Sequence, residues 1–295
     1  MNVKCSLCPR GCDVDRQVKT GYCGVGNTLR VARAALHFWE EPCISGEEGS
    51  GAVFFTGCNL RCVFCQNYQI ARAEQGKEIT VERLSEIFLE LQAQKANNIN
   101  LVTATHYVPQ VIEALKIAKN KGLCIPVVYN CGGYESVETL KMLEGFVDIY
   151  LPDFKYVDEE RAKRYSRAAD YPEIAKKALA EMVRQQPEAK FDERGIMEKG
   201  VIVRHLMLPG GIKDSKAVVR YLYETYGDQI YVSLMNQYTP LPHVADYPEI
   251  NRNLKKFEYD RLVDYAISLG VENGFIQEGE TAKESFIPAF TNEGV

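Results

Sequence analysis

The chain has little that would carry it into a membrane or onto nucleic acid. Its apolar runs are short, well below the roughly 20 residues that a bilayer-spanning helix needs. The opening stretch MNVKCSLCPRGCDVD contains no apolar h-region, so no secretory signal is expected there. Basic residues form no block or arm. The 35 Lys and Arg are spread among 40 Asp and Glu, for a net charge of −5, which leaves no electrostatic footprint for a nucleic acid. Internal repeats and low-complexity tracts are missing too. The expectation is a cytoplasmic chain without a membrane or nucleic-acid partner.

What is present is an ordinary core and a surplus of cysteine. The 295 residues, 46% apolar and 25% charged, suit one large domain or one domain with a small appendage. The ten cysteines are unevenly placed. Cys5, Cys8, Cys12, Cys23 and Cys43 crowd the start, Cys58, Cys62 and Cys65 follow, and only Cys124 and Cys131 lie beyond. In a reducing compartment such clusters point to metal or redox chemistry, not to a disulfide framework.

Residues 1–30 read as a loop-rich cap that builds no core of its own, and 31–51 as a connector. Beyond them, short apolar runs at 52–56, 99–103, 125–129, 147–151, 201–208, 230–234 and 274–277 are strand-length. Amphipathic helical stretches at 81–95, 109–120, 136–143, 159–167, 171–185, 213–225 and 257–269 fall among them. Strand–helix alternation predicts parallel strands with helices outside, joined right-handedly, and favours a partial or full (β/α) barrel. The division expected is a cap and connector over 1–50, a barrel over 51–280 and a loose tail over 281–295. Chemistry in such barrels sits at the C-terminal strand ends.

The first such end carries Gly57-Cys58-Asn59-Leu60-Arg61-Cys62-Val63-Phe64-Cys65, a C-x3-C-x2-C spacing. Three thiolates on one short loop hold three irons of a cubane and leave the fourth iron open. A structural zinc wants a fourth ligand, and none follows at zinc spacing. The motif, with Phe64 just before its third cysteine, resembles the radical S-adenosylmethionine superfamily. That resemblance implies a 4Fe–4S cluster on Cys58, Cys62 and Cys65 and S-adenosylmethionine chelated to the open iron. Reductive cleavage then yields a 5′-deoxyadenosyl radical that abstracts hydrogen from a substrate, with an electron donor such as flavodoxin or ferredoxin.

Later strand ends supply candidate contacts. Where the superfamily often has Gly-Gly-Glu, this chain has Thr103-Ala104-Thr105-His106, and Thr105 and His106 are the candidates; His106 reads equally as a helix-entry residue before Pro109. Asp153-Phe154-Lys155 and Arg204 through Pro209-Gly210 are similar to stretches of the activases for glycyl radical enzymes. By that similarity Asn130, Asp153, Lys155 and Arg204 meet S-adenosylmethionine or substrate, with Arg204 on the methionyl carboxylate. His205 faces away from Arg204 and is expected to pack. Gln237 and its neighbours are candidates for adenine or substrate.

Cys5-x2-Cys8-x3-Cys12-x10-Cys23 places four thiols in a coreless segment, which points to a closed site for zinc or a second iron–sulfur cluster, with Cys43 as an alternative ligand. The pattern resembles a subgroup of pyruvate formate-lyase activating enzyme-like proteins. That implies an activase acting on a glycyl radical enzyme. Radical modification or rearrangement of another small molecule or peptide is the alternative, and a non-catalytic iron–sulfur scaffold or electron carrier is a third.

Overall fold

The computed structural model describes residues 4–277 and 288–295. Among the described residues ten strands form one sheet: β1 (Leu29–His37), β2 (Ser50–Phe55), β3 (Lys77–Ile79), β4 (Ile99–Val102), β5 (Val127–Cys131), β6 (Ile149–Pro152), β7 (Lys190–Phe191), β8 (Met197–Leu206), β9 (Tyr231–Met235) and β10 (Gly274–Ile276). Their order is β10-β9-β8-β6-β5-β4-β2-β1-β3, with β7 beside β8. From β2 through β10 the path strands run parallel. Every residue of β2, β4, β5 and β6 is buried, as expected of strands covered on both faces. No pairing among the described residues joins β10 to β3, so the barrel is partial.

The helices are α1 (Pro42–Ser45), α2 (Tyr68–Ala71), α3 (Val81–Ala93), α4 (Val108–Asn120), α5 (Val137–Met142), α6 (Glu159–Ser166), α7 (Tyr171–Gln185), α8 (Ile212–Tyr226) and α9 (Lys256–Leu269). In α3 the Thr80 hydroxyl accepts from the Arg83 N–H, which starts the helix, and Leu84, Ile87, Phe88 and Leu91 form the buried stripe. The Asp158 carboxylate caps α6 in the same way, accepting from the N–H groups of Glu160 and Arg161. No helix among the described residues is long and apolar enough to cross a membrane.

Two segments differ from expectation. The connector contains β1, which pairs antiparallel with both β2 and β3. A register shift between Val31 and Arg33 buries the adjacent Val31 and Ala32 together, and so erases the alternation that marks a strand. The expected loose tail is not loose where it is described. Asn292 N–H donates to Ala32 O at 3.1 Å and Ala34 N–H to Glu293 O at 2.8 Å, while Phe290 packs on Phe54 with centroids 5.6 Å apart. These bonds satisfy β1 backbone groups beyond the reach of the short β3. Residues 281–287 of that tail lie outside the described residues.

Candidate active site

The cysteine loop leaves the end of β2 and is fixed from several sides before any ligand is considered. Gly57 has φ 96, and a Cβ there would meet Cys23 O at 2.8 Å, so only glycine lets cap and loop approach this closely. Cys58 N–H donates to Cys23 O at 3.3 Å, Arg10 Nε donates to Asn59 O at 2.8 Å, and Asn59 Nδ2 donates to Tyr134 O at 2.6 Å. Arg16, itself buried, donates to the backbone oxygens of His106 and Gly26.

Cys58, Cys62 and Cys65 line one cavity of about 250 Å3. Cys58 Sγ accepts from Leu60 N–H at 3.3 Å, and Cys62 Sγ lies 3.0 Å from Ser166 Oγ. Burial and the neighbouring thiols push the Cys58 thiol up and Cys65 to about 12, while Lys155 opposes both shifts. Thiols in this environment favour the thiolate form only when a metal supplies positive charge. Among the described residues no three His, Cys, Asp or Glu side chains converge on a single ion. A cubane does not require such convergence, because each cysteine takes its own iron. The loop therefore fits a three-thiolate cluster better than a lone metal ion.

The same cavity gathers Phe64, Asn130, Asp153, Lys155, Arg204 and Gln237. Gly133 has φ 77, and a Cβ there would collide with Asp153 O, so the ends of β5 and β6 close tightly only around glycine. Lys155 Nζ bonds Asp153 Oδ2 at 2.6 Å, and Arg204 Nε stands 3.3 Å from Asp153 Oδ1. Burial alone would raise the Asp153 carboxyl, but Lys155 and Arg204 outweigh it and hold it below the usual range. Burial likewise opposes the Arg204 charge, yet Asp153, Glu40 and Glu41 keep it firmly protonated. Arg204 Nη2 donates to Asn130 Oδ1 at 2.5 Å and Nη1 to Glu40 Oε2 at 2.9 Å. Asn100 and Asn130 both donate to Glu40 Oε1. Charges of both signs beside amides and the apolar walls of Phe54, Phe64 and Leu206 suit a zwitterionic amino-acid group attached to a larger body.

Thr105 and His106, the expected contacts to S-adenosylmethionine, do not line this cavity. Both lie in a 3-10 turn that points them inward. Thr105 Oγ1 donates to Glu135 Oε1 at 2.9 Å, and His106 Nε2 lies 2.8 Å from Thr56 O. Burial, with Arg16 adding to it, lowers the His106 pKa to about 4, so the ring is neutral and braces the loop. Thr103 takes the cavity position instead, at φ 61, an unusual conformation for a β-branched residue. His205 is buried, with Nδ1 2.8 Å from Phe154 O. Glu40 was missed: the only signal was a pair of acids, Glu40-Glu41, before Pro42 in the connector.

Cys5, Cys8, Cys12 and Cys23 share the cap, where the Cys12 and Cys23 sulfurs both lie against Gly21. Burial, with Cys12 and Cys23 contributing, raises Cys8 to about 12. No three of them converge on one ion. Cys43 is remote from the cap. A residue of α1, it packs with Val128, Ile149 and Met197 in a separate core cluster, away from the four cap cysteines it was expected to join as an alternative ligand.

Residues 52–210 match the family model described as the radical SAM superfamily. An uncharacterised protein of Methanocaldococcus jannaschii is 29% identical over 269 residues, covering 89% of this chain and 74% of that protein. The pyruvate formate-lyase-activating enzyme of Clostridium pasteurianum is 33% identical over 119 residues, 38% of this chain and 48% of its own. Among solved structures, Streptococcus suis SuiB bound to its precursor peptide SuiA superposes with TM-score 0.51 at 13% identity, covering 76% of this chain and 47% of SuiB. The hydrogenase maturase HydG of Carboxydothermus hydrogenoformans gives 0.51 at 12%, covering 80% and 55%. The chain thus spans about half the length of these solved structures, and the likeness to them is one of fold.

Proposed function

Because the chain belongs to the radical SAM superfamily, whose chemistry implies a 4Fe–4S cluster and S-adenosylmethionine, we propose that it is an activase that removes a hydrogen atom from a glycine of a partner polypeptide. The carrying observation is that three loop cysteines and the Asn130, Asp153, Lys155 and Arg204 side chains face one cavity. When bound and reduced by one electron from an external donor, the cluster and S-adenosylmethionine would supply the hydrogen-abstracting chemistry, with methionine and 5′-deoxyadenosine as the products beside the glycyl radical.

The chain's own part is binding and orientation. Cys58, Cys62 and Cys65 would hold the cluster. Arg204 offers a planar fork to the methionyl carboxylate, with its orientation set by Glu40, Asn130 and Asp153. Lys155, tied to Asp153 and 6.0 Å from the centre of the Phe64 ring, sets positive charge beside the thiolates. Phe64 and Tyr238 wall the cavity, with centroids 6.3 Å apart. The activase reading draws support from the partial likeness to the Clostridium pasteurianum enzyme and from the Asp153-x-Lys155 and Arg204 strand ends. An accessory metal on Cys5, Cys8, Cys12 and Cys23 would have to draw those thiols together, and no step is assigned to it.

Anaerobic incubation of the loaded protein with a glycyl radical enzyme from the same cells, read by EPR, tests this reading. The expected result is a protein-based glycyl signal that forms in step with 5′-deoxyadenosine. If 5′-deoxyadenosine forms while the signal never does, the alternative of a small-molecule or peptide modification takes its place.

A further inference from the structure

The charged side chains that line the reaction cavity hold one another. Glu40 pairs with Arg204, Arg204 with Asp153 and Asp153 with Lys155. Among the described residues no other acid, lysine or arginine lines it. Another part of the wall carries no charge. Phe54, Ile70 and Val102 pack there as one cluster, and His37 sets its ring edge-on to Phe54 at 6.0 Å. Burial, with Arg33 and Arg204 adding to it, lowers the His37 pKa to about 4, so this ring is neutral as well.

Two residues beyond His37 stands Trp39, the single tryptophan of the chain. It lines the same cavity and is nevertheless 60% exposed, so it stands where the cavity opens to solvent. The other large apolar side chains left exposed among the described residues, such as Phe191, Phe257 and Ile267, do not line this cavity. Tryptophan is the residue type that most often anchors a bound partner when it is kept at a rim. Asn67 lines the cavity at the start of α2, the helix that carries Ile70. Its side-chain amide has no hydrogen-bond partner among the described residues. One such amide both donates and accepts, as a peptide group requires. A neutral aromatic wall with an uncommitted amide suits an uncharged stretch of polypeptide. A small charged molecule would find no counter-ion on it.

We infer that Trp39 anchors the polypeptide substrate where it enters the cavity, with the wall of His37, Phe54 and Ile70 receiving its glycine-bearing segment and Asn67 pairing with its backbone. The inference deepens the activase reading above and rests on it for the class of substrate. Glycine, lacking a side chain, lets a backbone come close to such a wall.

The test uses the lone tryptophan as its reporter. The probe is a synthetic peptide spanning the radical-bearing glycine of a glycyl radical enzyme from the same cells, added anaerobically to the loaded protein with S-adenosylmethionine. Acrylamide is expected to quench Trp39 fluorescence less once the peptide is bound. Calorimetry should show the peptide bound about tenfold more weakly by Trp39→Ala, with Trp39→Phe recovering most of the loss. The KM for the peptide in glycyl radical formation should rise in parallel. Trp39 is largely in solvent, so neither substitution disturbs the core. Peptide held equally by wild type and Trp39→Ala, or held without any shielding of Trp39, overturns the proposal, as does a peptide that does not bind. Shielding that appears on concentrating the protein without peptide marks a second copy of this chain as the occupant and overturns it too. Peptide that shields Trp39 and binds Trp39→Ala weakly, yet never acquires a glycyl signal, leaves the docking in place and removes the activase reading.

Discussion

Glu40 is the residue on which the interior of the barrel turns. It accepts from Asn100, Asn130 and Arg204, so removing it leaves a largely buried guanidinium with only Asn130 and Asp153. Glu40→Ala is expected to lower the stability of the cluster-free protein by about 1–3 kcal/mol, with Glu40→Gln milder. Coincident urea midpoints for wild type and Glu40→Ala would show that Arg204 is held without it. Glu135 makes a different prediction. Burial raises its carboxyl to about 7 against an ordinary 4.5, although Thr105 and Tyr129 donate to it. Folding therefore favours its neutral form. That contribution is fully present below about pH 4.5 and is lost as pH rises through about 7. Relative to Glu135→Gln, wild-type stability should fall by roughly 3 kcal/mol across this window. A difference between the two proteins that stays flat with pH would mean that Glu135 is ionised in the fold.

At the scale of elements, the cap and the cysteine loop behave as one unit. Among its described residues 4–28 the cap has no strand or helix, and its position rests on Arg10, Arg16 and the Cys23–Cys58 backbone bond. Arg16 links the cap to the turn that carries His106, and His106 in turn bears on Thr56 at the start of the loop. Arg16→Ala leaves buried acceptors unmet and is expected to destabilise the protein by about 2–4 kcal/mol. Limited proteolysis should then cut within residues 4–28 first. Cap cleavage no faster than in wild type would place the cap's anchorage elsewhere. The barrel elements were largely legible in the sequence. Each of the parallel strands β2, β4, β5, β6, β8 and β9 coincides with an apolar run, because buried parallel strands are short, continuous and apolar, and the more exposed β10 coincides with one too. β1 was not legible, since its bulge breaks the two-residue period and its partners lie on either side of it in space.

Across the whole molecule, the cysteine triad could be read from spacing alone, because three ligands on one loop are a local property. Asn130, Asp153, Lys155 and Arg204 were legible as strand ends and by similarity to the activases, and the cavity they share is a product of the parallel sheet. Thr105 and His106 fall in a 3-10 turn after β4 that buries them, and sequence pattern does not report that turn. Glu40 was hidden because it comes from β1's far end and enters the barrel through a chain reversal no periodicity marks. The central claim is that these parts hold a cluster able to cleave S-adenosylmethionine. The most direct measurement is 5′-deoxyadenosine released by anaerobically reconstituted protein given S-adenosylmethionine and dithionite, beside Cys62→Ala prepared identically. The account predicts release by wild type and none by the variant. Wild-type protein that carries its full complement of iron and releases no 5′-deoxyadenosine would contradict it.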